Sequence, residues 1–350
     1  MQYIPETCVW ELTMNCNLRC KHCGSSCSDP RKDELTTEEA LKLADELGAM
    51  NLRWISLIGG ELFLFKDWDL IVKRLSDYGI NICIITNGTL INKRIIHKME
   101  RSRIVNLSIS IDGIKKTHDK IRGAKCYDKC RKAFEMARKE GITTSATTTV
   151  IKENLGELPE IKNELIKMGV PYWQIQIGLP EGNLANNTAS LIDPQDIKKI
   201  IDFAYEVNMQ GNIMIYLPDT IGYYTQKEAI ARQIATRSAK APMWDGCNAG
   251  IRSFGILSNG DIVGCTSIRD PKYVEGNVRK RSLKDIWEDN NSFAWRRNLT
   301  AEKLKGKCKT CKYVSKCLGG CSNARLTSGD IYGENRFCAY SAAMYAAESK

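Results

Sequence analysis

Strand-like and helix-like stretches alternate along the first two-thirds of the chain. CVWELT (8–13), WISLIGG (54–60), NICIITNG (81–88), IVNLSISIDG (104–113), ITTSATTTVI (142–151) and YWQIQIGL (172–179) are short runs rich in β-branched or aromatic residues and mostly bounded by turn residues, which predicts six strands. Thr37–Met50, Asp67–Tyr78, Lys129–Glu140, Leu155–Met168 and Pro194–Val207 read as helices between or after them. Thr36 is placed to cap the first of these, with Glu39 three residues on, and Pro159 falls in the first turn of the fourth.

This alternation implies parallel strands joined by helical crossovers. Six units in about 200 residues fit an incomplete (β/α) barrel, although a doubly wound sheet has the same local pattern. The motifs favour the barrel, because they follow successive strands, and in a barrel those strand ends form one mouth. From Gly211 the pattern changes. NIMIYLP (212–218) and a helical stretch near Gln226–Arg237 form a bridge, and from Cys247 the chain becomes short strands, turns and cysteines. SFGILSNGDIVGC (253–265) reads as a hairpin turning at Ser258-Asn259-Gly260. The expected fold is α/β: a partial (β/α)6 TIM-type barrel over 1–210, a bridging segment over 211–244, and a small cysteine-rich domain over 245–350. No repeat of fixed period and no low-complexity tract is present.

Composition narrows the chemistry. The chain has 350 residues, of which 43% are hydrophobic, enough for a sizeable core. No apolar run of membrane-spanning length occurs, and the N-terminus lacks the basic-then-apolar order of a secretory signal, so a cytoplasmic location with no membrane partner is expected. In that compartment fifteen cysteines point to metal or redox chemistry rather than disulfides. They are also clumped, four between residues 16 and 27 and five between 308 and 338. The formal charge is +10, and Arg269–Lys350 carries 17 basic and 9 acidic residues, a net of +8. A nucleic-acid partner is one reading of that charge, but no stacking set of aromatics accompanies it. A basic surround for anionic thiolate-ligated clusters accounts for it better.

Cys16, Cys20 and Cys23 follow the first strand as C-x3-C-x2-C. A loop of this spacing can bring three thiolates to one [4Fe–4S] cluster and leave one iron free. Zinc, with His22 or Cys27 as fourth ligand, is the alternative for the loop alone.

Taken as a whole, the N-terminal 200 residues resemble the radical S-adenosylmethionine superfamily. The resemblance lies in the C-x3-C-x2-C loop with His22 before its last cysteine, Gly59-Gly60-Glu61 after the second strand, Thr86-Asn87-Gly88 after the third, and Ser110-Ile111-Asp112-Gly113 with His118-Asp119 and Arg122-Gly123 after the fourth. Leu62 stands where the family usually has proline. The resemblance implies that the free iron chelates S-adenosylmethionine and that one electron releases a 5′-deoxyadenosyl radical, which removes hydrogen from a C–H bond. It places Gly59, Gly60 and Glu61 at the methionine ammonium group, and Ser110 and Asp112 at the ribose. Val150 stands near the adenine, with Asn87 and Arg122 also in the cofactor site.

Cys247, Cys265, Cys308, Cys311, Cys317, Cys321 and Cys338, with GNVRKRSLKDIW (276–287) between them, resemble the SPASM domain of peptide- and protein-modifying radical enzymes. A zinc ribbon is the alternative for this array. The resemblance implies two auxiliary [4Fe–4S] clusters, and so three in all. Cys308, Cys311, Cys317 and Cys338 would hold the outer one. Cys247, Cys265 and Cys321 would hold the inner one, which then lacks a fourth cysteine. An inner iron open to a substrate thiolate follows as an expectation, with Asp245, a water or a spare cysteine as the alternative closure. Of the remaining cysteines, Cys8 and Cys83 read as packing, and Cys126 and Cys130 as a conceivable hydrogen-atom donor near the barrel mouth.

The function implied is modification of a ribosomally made precursor peptide or protein, giving a thioether, a carbon–carbon crosslink or an epimer. Electrons would come from a donor such as flavodoxin or ferredoxin. Only about seven residues precede the first strand, so a leader peptide is expected to be held by the barrel and C-terminal domain or by a separate leader-binding protein. The alternatives are a sulfatase-type formylglycine maturase, against which Thr266 replaces the expected Asp, and a zinc-dependent nucleic-acid-binding protein.

Overall fold

The computed structural model describes residues 3–100, 102–240 and 244–342; the last eight residues of the expected C-terminal domain lie outside them. The strands are β1 Thr7–Glu11, β2 Trp54–Ile58, β3 Asn81–Thr86, β4 Ile104–Ser110, β5 Thr144–Val150, β6 Tyr172–Ile177, β7 Met214–Tyr216, β8 Ser253–Ile256, β9 Asp261–Val263 and β10 Val274–Asn277. The principal helices are α1 Thr37–Ala49, α2 Trp68–Asp77, α3 Lys93–Glu100, α4 Lys115–Arg122, α5 Tyr127–Lys139, α6 Leu158–Lys167, α7 Asp196–Gln210 and α8 Gln226–Thr236.

All ten strands form one sheet in the order β10-β9-β8-β1-β2-β3-β4-β5-β6-β7. Strands β1 to β7 pair in parallel in chain order, as the crossover pattern requires. The hairpin docks where no local signal points: β8 joins β1 in parallel, Thr7 opposite Ser253 and Trp10 opposite Ile256. The cysteine-rich segment therefore continues the barrel sheet, and its loops reach the mouth from the β1 side. Gly260, at φ +85°, makes the hairpin turn that the sequence places there.

Local chemistry sets the helix starts. The Thr36 hydroxyl accepts from the Glu39 N–H at 3.2 Å, and the Glu39 carboxylate accepts from the Thr36 N–H at 2.8 Å, closing a capping box. The helix expected over Leu155–Met168 is divided: a single turn over Lys152–Leu155 precedes α6, which starts one residue before Pro159, where a missing N–H costs nothing. Helices α3 and α4 have no counterpart in the sequence reading. They are eight residues each and mostly polar, too short for a clear period.

The core lies between sheet and helices, with Ile82, Ile84, Ile109, Ala146, Trp173 and Ile175 at or near zero exposure. Cys8 is buried among it and Cys83 is half-buried on β3. Strand alternation sends the other face of β4, β5 and β6 to the interior of the barrel. Among the described residues no helix is long and apolar enough to cross a membrane.

Candidate active site

The loop after β1 is fixed at its base by backbone contacts. The Gly60 N–H donates to the Thr13 carbonyl (2.6 Å) and the Glu61 N–H to the Asn15 carbonyl (2.7 Å). A Cβ on Gly60 would stand 2.4 Å from the Asn15 oxygen, so only glycine lets the two segments approach. Glu34 accepts from the Thr13 hydroxyl and the Met14 N–H. The far side is held by Asn183, whose side chain donates to the Cys20 carbonyl (2.8 Å) and whose N–H donates to that of Cys23 (2.9 Å).

Gly182 packs directly on this loop at φ +50°, where a Cβ would come within 2.4 Å of the Cys23 carbonyl oxygen. Gly182→Ala is therefore doubly strained. It is expected to displace the loop and lower the iron content of the purified protein, while Gly141→Ala, at φ +70° but with nothing within 4 Å, is expected to retain iron.

The loop sets the Cys16, Cys20 and Cys23 thiols around a cavity of about 230 Å³ at the barrel mouth. Of the residues assigned to the cofactor from sequence, Gly59, Gly60, Asn87, Ser110 and Arg122 line it. Three do not. Val150 is fully buried, because strand alternation turns Thr147 and Thr149, on the same strand, into the cavity instead.

Glu61 is 1% exposed. Its carboxylate accepts from the Thr86 hydroxyl (2.6 Å) and the Asn87 N–H (2.8 Å), so it ties the ends of β2 and β3 together. Burial raises its pKa despite these bonds. Glu61→Gln puts an NH2 group against a donor and is expected to cost about 1.5–3 kcal/mol in denaturant unfolding. Weaker S-adenosylmethionine binding would then follow through Asn87.

Asp112 is also closed off. It accepts from Arg122 (2.6 and 2.7 Å), His22 Nε2 (2.8 Å) and the Thr149 N–H (2.8 Å), and so orients Arg122 and His22. Burial opposes its charge, but Arg122 and then His22 outweigh burial and hold its pKa far below the carboxylate range.

Burial pushes the Cys20 thiol up to about 12, against the opposing pull of Arg122. Cys23 goes the other way, to about 5, through a hydrogen bond from the Cys27 thiol. Three converging thiols, one buried and two half-buried, beside a lone guanidinium suit a metal cluster, which deprotonates its thiol ligands outright. Cys126, against Cys20, has its sulfur 3.3 Å from His118 Nε2, and Cys130 directs its thiol to the Asn87 carbonyl (3.2 Å).

The seven C-terminal cysteines separate into two groups. Cys308, Cys311, Cys317 and Cys338 surround one small cavity with Tyr224, Tyr313 and Tyr340. Burial lifts Cys265 to about 11 and raises Cys321, and Cys247 lies close enough to both to add to the rise, as Cys265 does for Cys321. Gly319 and Gly320, both left-handed, set Cys321, and a Cβ on Gly320 would strike the Tyr223 ring at 2.5 Å. Asp245, one candidate to close the inner group, is paired with Arg252 (2.8 Å).

A second cavity of about 230 Å³, absent from the sequence reading, adjoins the first and shares His22, Gly24, Ser25, Thr149 and Gln176 with it. Its far wall is Glu181, Thr220, Ser267 and Asn323, of which Ser267 and Asn323 each stand two residues from a cysteine of the inner group. The Asn323 side-chain N–H donates to Glu181, and burial raises Glu181 to about 7. His22 Nδ1, Thr220 Oγ1 and Asn323 Oδ1 are buried without a partner. Glu181 carried a signal that sequence reasoning could have used: a carboxyl at the C-terminal end of a barrel strand.

A model of the radical SAM superfamily matches residues 10–165 and one of the SPASM iron–sulfur cluster-binding domain matches 247–312. The chain belongs to the radical S-adenosylmethionine superfamily and carries a SPASM domain; it is an enzyme that uses S-adenosylmethionine and iron–sulfur clusters. It is 30% identical to the AdoMet-dependent heme synthase of Methanosarcina barkeri over 349 residues, covering 97% of this chain and 98% of that one. It is 26% identical to the mycofactocin maturase MftC of Mycolicibacterium smegmatis, covering 93% and 80%. Streptococcus suis SuiB bound to S-adenosylmethionine has the same fold, with a TM-score of 0.76 at 18% identity, covering 95% of this chain and 76% of that one. The zinc and nucleic-acid alternatives lose their basis with this family assignment.

Proposed function

We propose that the chain is a peptide-modifying radical enzyme with three [4Fe–4S] clusters. Cys16, Cys20 and Cys23 hold the radical-generating cluster. Cys308, Cys311, Cys317 and Cys338 hold the outer auxiliary cluster, and Cys247, Cys265 and Cys321 the inner one. Bound together, S-adenosylmethionine and the first cluster supply the hydrogen-abstracting radical. Gly59, Gly60, Asn87, Ser110 and Arg122 position the cofactor, and the segment to be modified enters the adjoining cavity.

The character of that second cavity supports the peptide reading. His22 Nε2 is committed to Asp112 at 2.8 Å, and its Nδ1 is left buried without a partner. Asn323 Oδ1 and the Glu181 carboxyl offer acceptors suited to amide N–H groups, and among the described residues no lysine or arginine lines the cavity. At about 230 Å³ it is smaller than the pocket of a drug-sized ligand, so it takes a residue or two of a longer substrate.

The relatives named heme synthase favour a second reading, a tetrapyrrole substrate. Tetrapyrrole carboxylates would meet the Glu181 carboxyl in the cavity wall, with Arg269 as the cation within electrostatic reach of it.

The two readings separate in one experiment. The reconstituted enzyme, S-adenosylmethionine and a reductant are incubated without oxygen, once with peptides encoded by short neighbouring genes and once with iron-coproporphyrin III. A mass change on a peptide, with stoichiometric 5′-deoxyadenosine, is expected. Conversion of the porphyrin with every peptide unchanged would replace the first reading by the second.

A further inference from the structure

We propose that Glu181 is the proton acceptor of the reaction: its carboxyl takes a proton from the substrate as the neighbouring C-terminal iron–sulfur cluster takes an electron. The proposal rests on the inner-cluster assignment above and on a bond-forming product, a thioether or a crosslink.

A product with a new bond, such as a thioether or a crosslink, requires such a group; an epimer does not. Removing a hydrogen atom from a substrate carbon leaves a carbon radical. A closed-shell product with a new bond forms when that radical loses one further electron and when a proton leaves an adjacent N–H, O–H, S–H or C–H group. The oxidant here is an iron–sulfur cluster by class, and the electron pair of the broken X–H bond becomes part of the new bond. The proton needs an acceptor within hydrogen-bond reach of the substrate.

Position singles out Glu181. Among the described residues, the only titratable ones lining the second cavity are His22 and Glu181. His22 stands on the cofactor side, with one ring nitrogen committed to Asp112 at 2.8 Å. Glu181 stands opposite, where the radical-site loop meets the C-terminal domain. Gly24 of that loop lies against its carboxylate, since a Cβ there would be 3.4 Å from Oε2. On the other side its Oε1 is held by Asn323.

Unpartnered His22 Nδ1, Thr220 Oγ1 and Asn323 Oδ1 around the same space mark it as a place built for a hydrogen-bonding substrate group. The charged and titratable groups facing Glu181 are His22 across the cavity, and Arg269 and Cys265 from the hairpin side. Burial raises its affinity for a proton, while the Asn323 hydrogen bond and then Arg269 oppose this, leaving it poised at about 7.

Proton transfer in step with electron transfer can be read without a substrate. Reducing the inner cluster adds negative charge beside Glu181 and draws a proton onto it, so the cluster's midpoint potential should fall as pH rises through about 6 to 8. EPR-monitored titrations of the holoenzyme measure this slope, and the signal lost in Cys265→Ala identifies the inner cluster.

The slope is expected in the parent, absent in Glu181→Gln and restored in Glu181→Asp. Glutamine keeps the acceptor for Asn323, and iron content and melting temperature report whether the variant has folded. An equal slope in parent and Glu181→Gln, or a slope lost in His22→Gln but kept in Glu181→Gln, would overturn the proposal with the cluster assignment intact. If Cys265→Ala removes neither iron nor a signal, the assignment itself has failed, and the proposal falls with it.

Discussion

Replacing Cys16, Cys20 and Cys23 together by alanine is expected to abolish 5′-deoxyadenosine formation while removing about four irons per chain of about twelve. The large effect has a geometric basis. All three thiols converge on the cavity that Gly59, Gly60, Asn87, Ser110 and Arg122 also line, the one space in which the proposed function puts both electron delivery and cofactor binding. The other seven cysteines gather in the C-terminal domain and should keep their iron. Iron and sulfide analysis, with anaerobic chromatography of the nucleoside products, checks both halves. Turnover of S-adenosylmethionine by the triple variant would remove the loop from the radical site.

Asp112→Ala is expected to be the most damaging single change in charge. Asp112 is fully buried and bridges Arg122, His22 and the β5 backbone. Removing it leaves a buried guanidinium without its partner, a loss of about 3–5 kcal/mol. By contrast, Lys73→Ala breaks a pair whose side chains are 62% and 56% exposed and should change stability little. Urea unfolding of the two variants makes the comparison.

The sign with pH is also fixed. The Asp112 pKa is depressed in the folded state, so its contribution is complete above the unfolded value of about 3.9 and decays only on acidification below it. Acid unfolding of the parent should therefore be steep, and that of Asp112→Ala shallower. Equal stability of parent and variant at neutral pH would mean that Arg122 finds another partner or reaches water.

The sequence by itself determined what depends on spacing and local chemistry. Residue periods located all six expected strands to within a few residues. The Thr36–Glu39 capping box and the hairpin turn at Gly260 were legible because backbone hydrogen bonds and φ preference act within a few residues. The motifs after β1 to β4 announced the family in the same way.

The tertiary structure decided everything that depends on which segment meets which. Docking of β8 on β1 is a pairing across more than 240 residues, and no local pattern encodes it. Whether Thr149 or Val150 faces the cavity turned on one residue of strand alternation. Glu61 and Asp112 are spent on Thr86, Asn87, Arg122 and His22, because a buried carboxylate takes the nearest donors the fold provides. The second cavity exists only because β6, the radical-site loop and the C-terminal domain converge. Glu181, Thr220 and Asn323 come from three distant segments, and their proximity is a property of the packed chain alone.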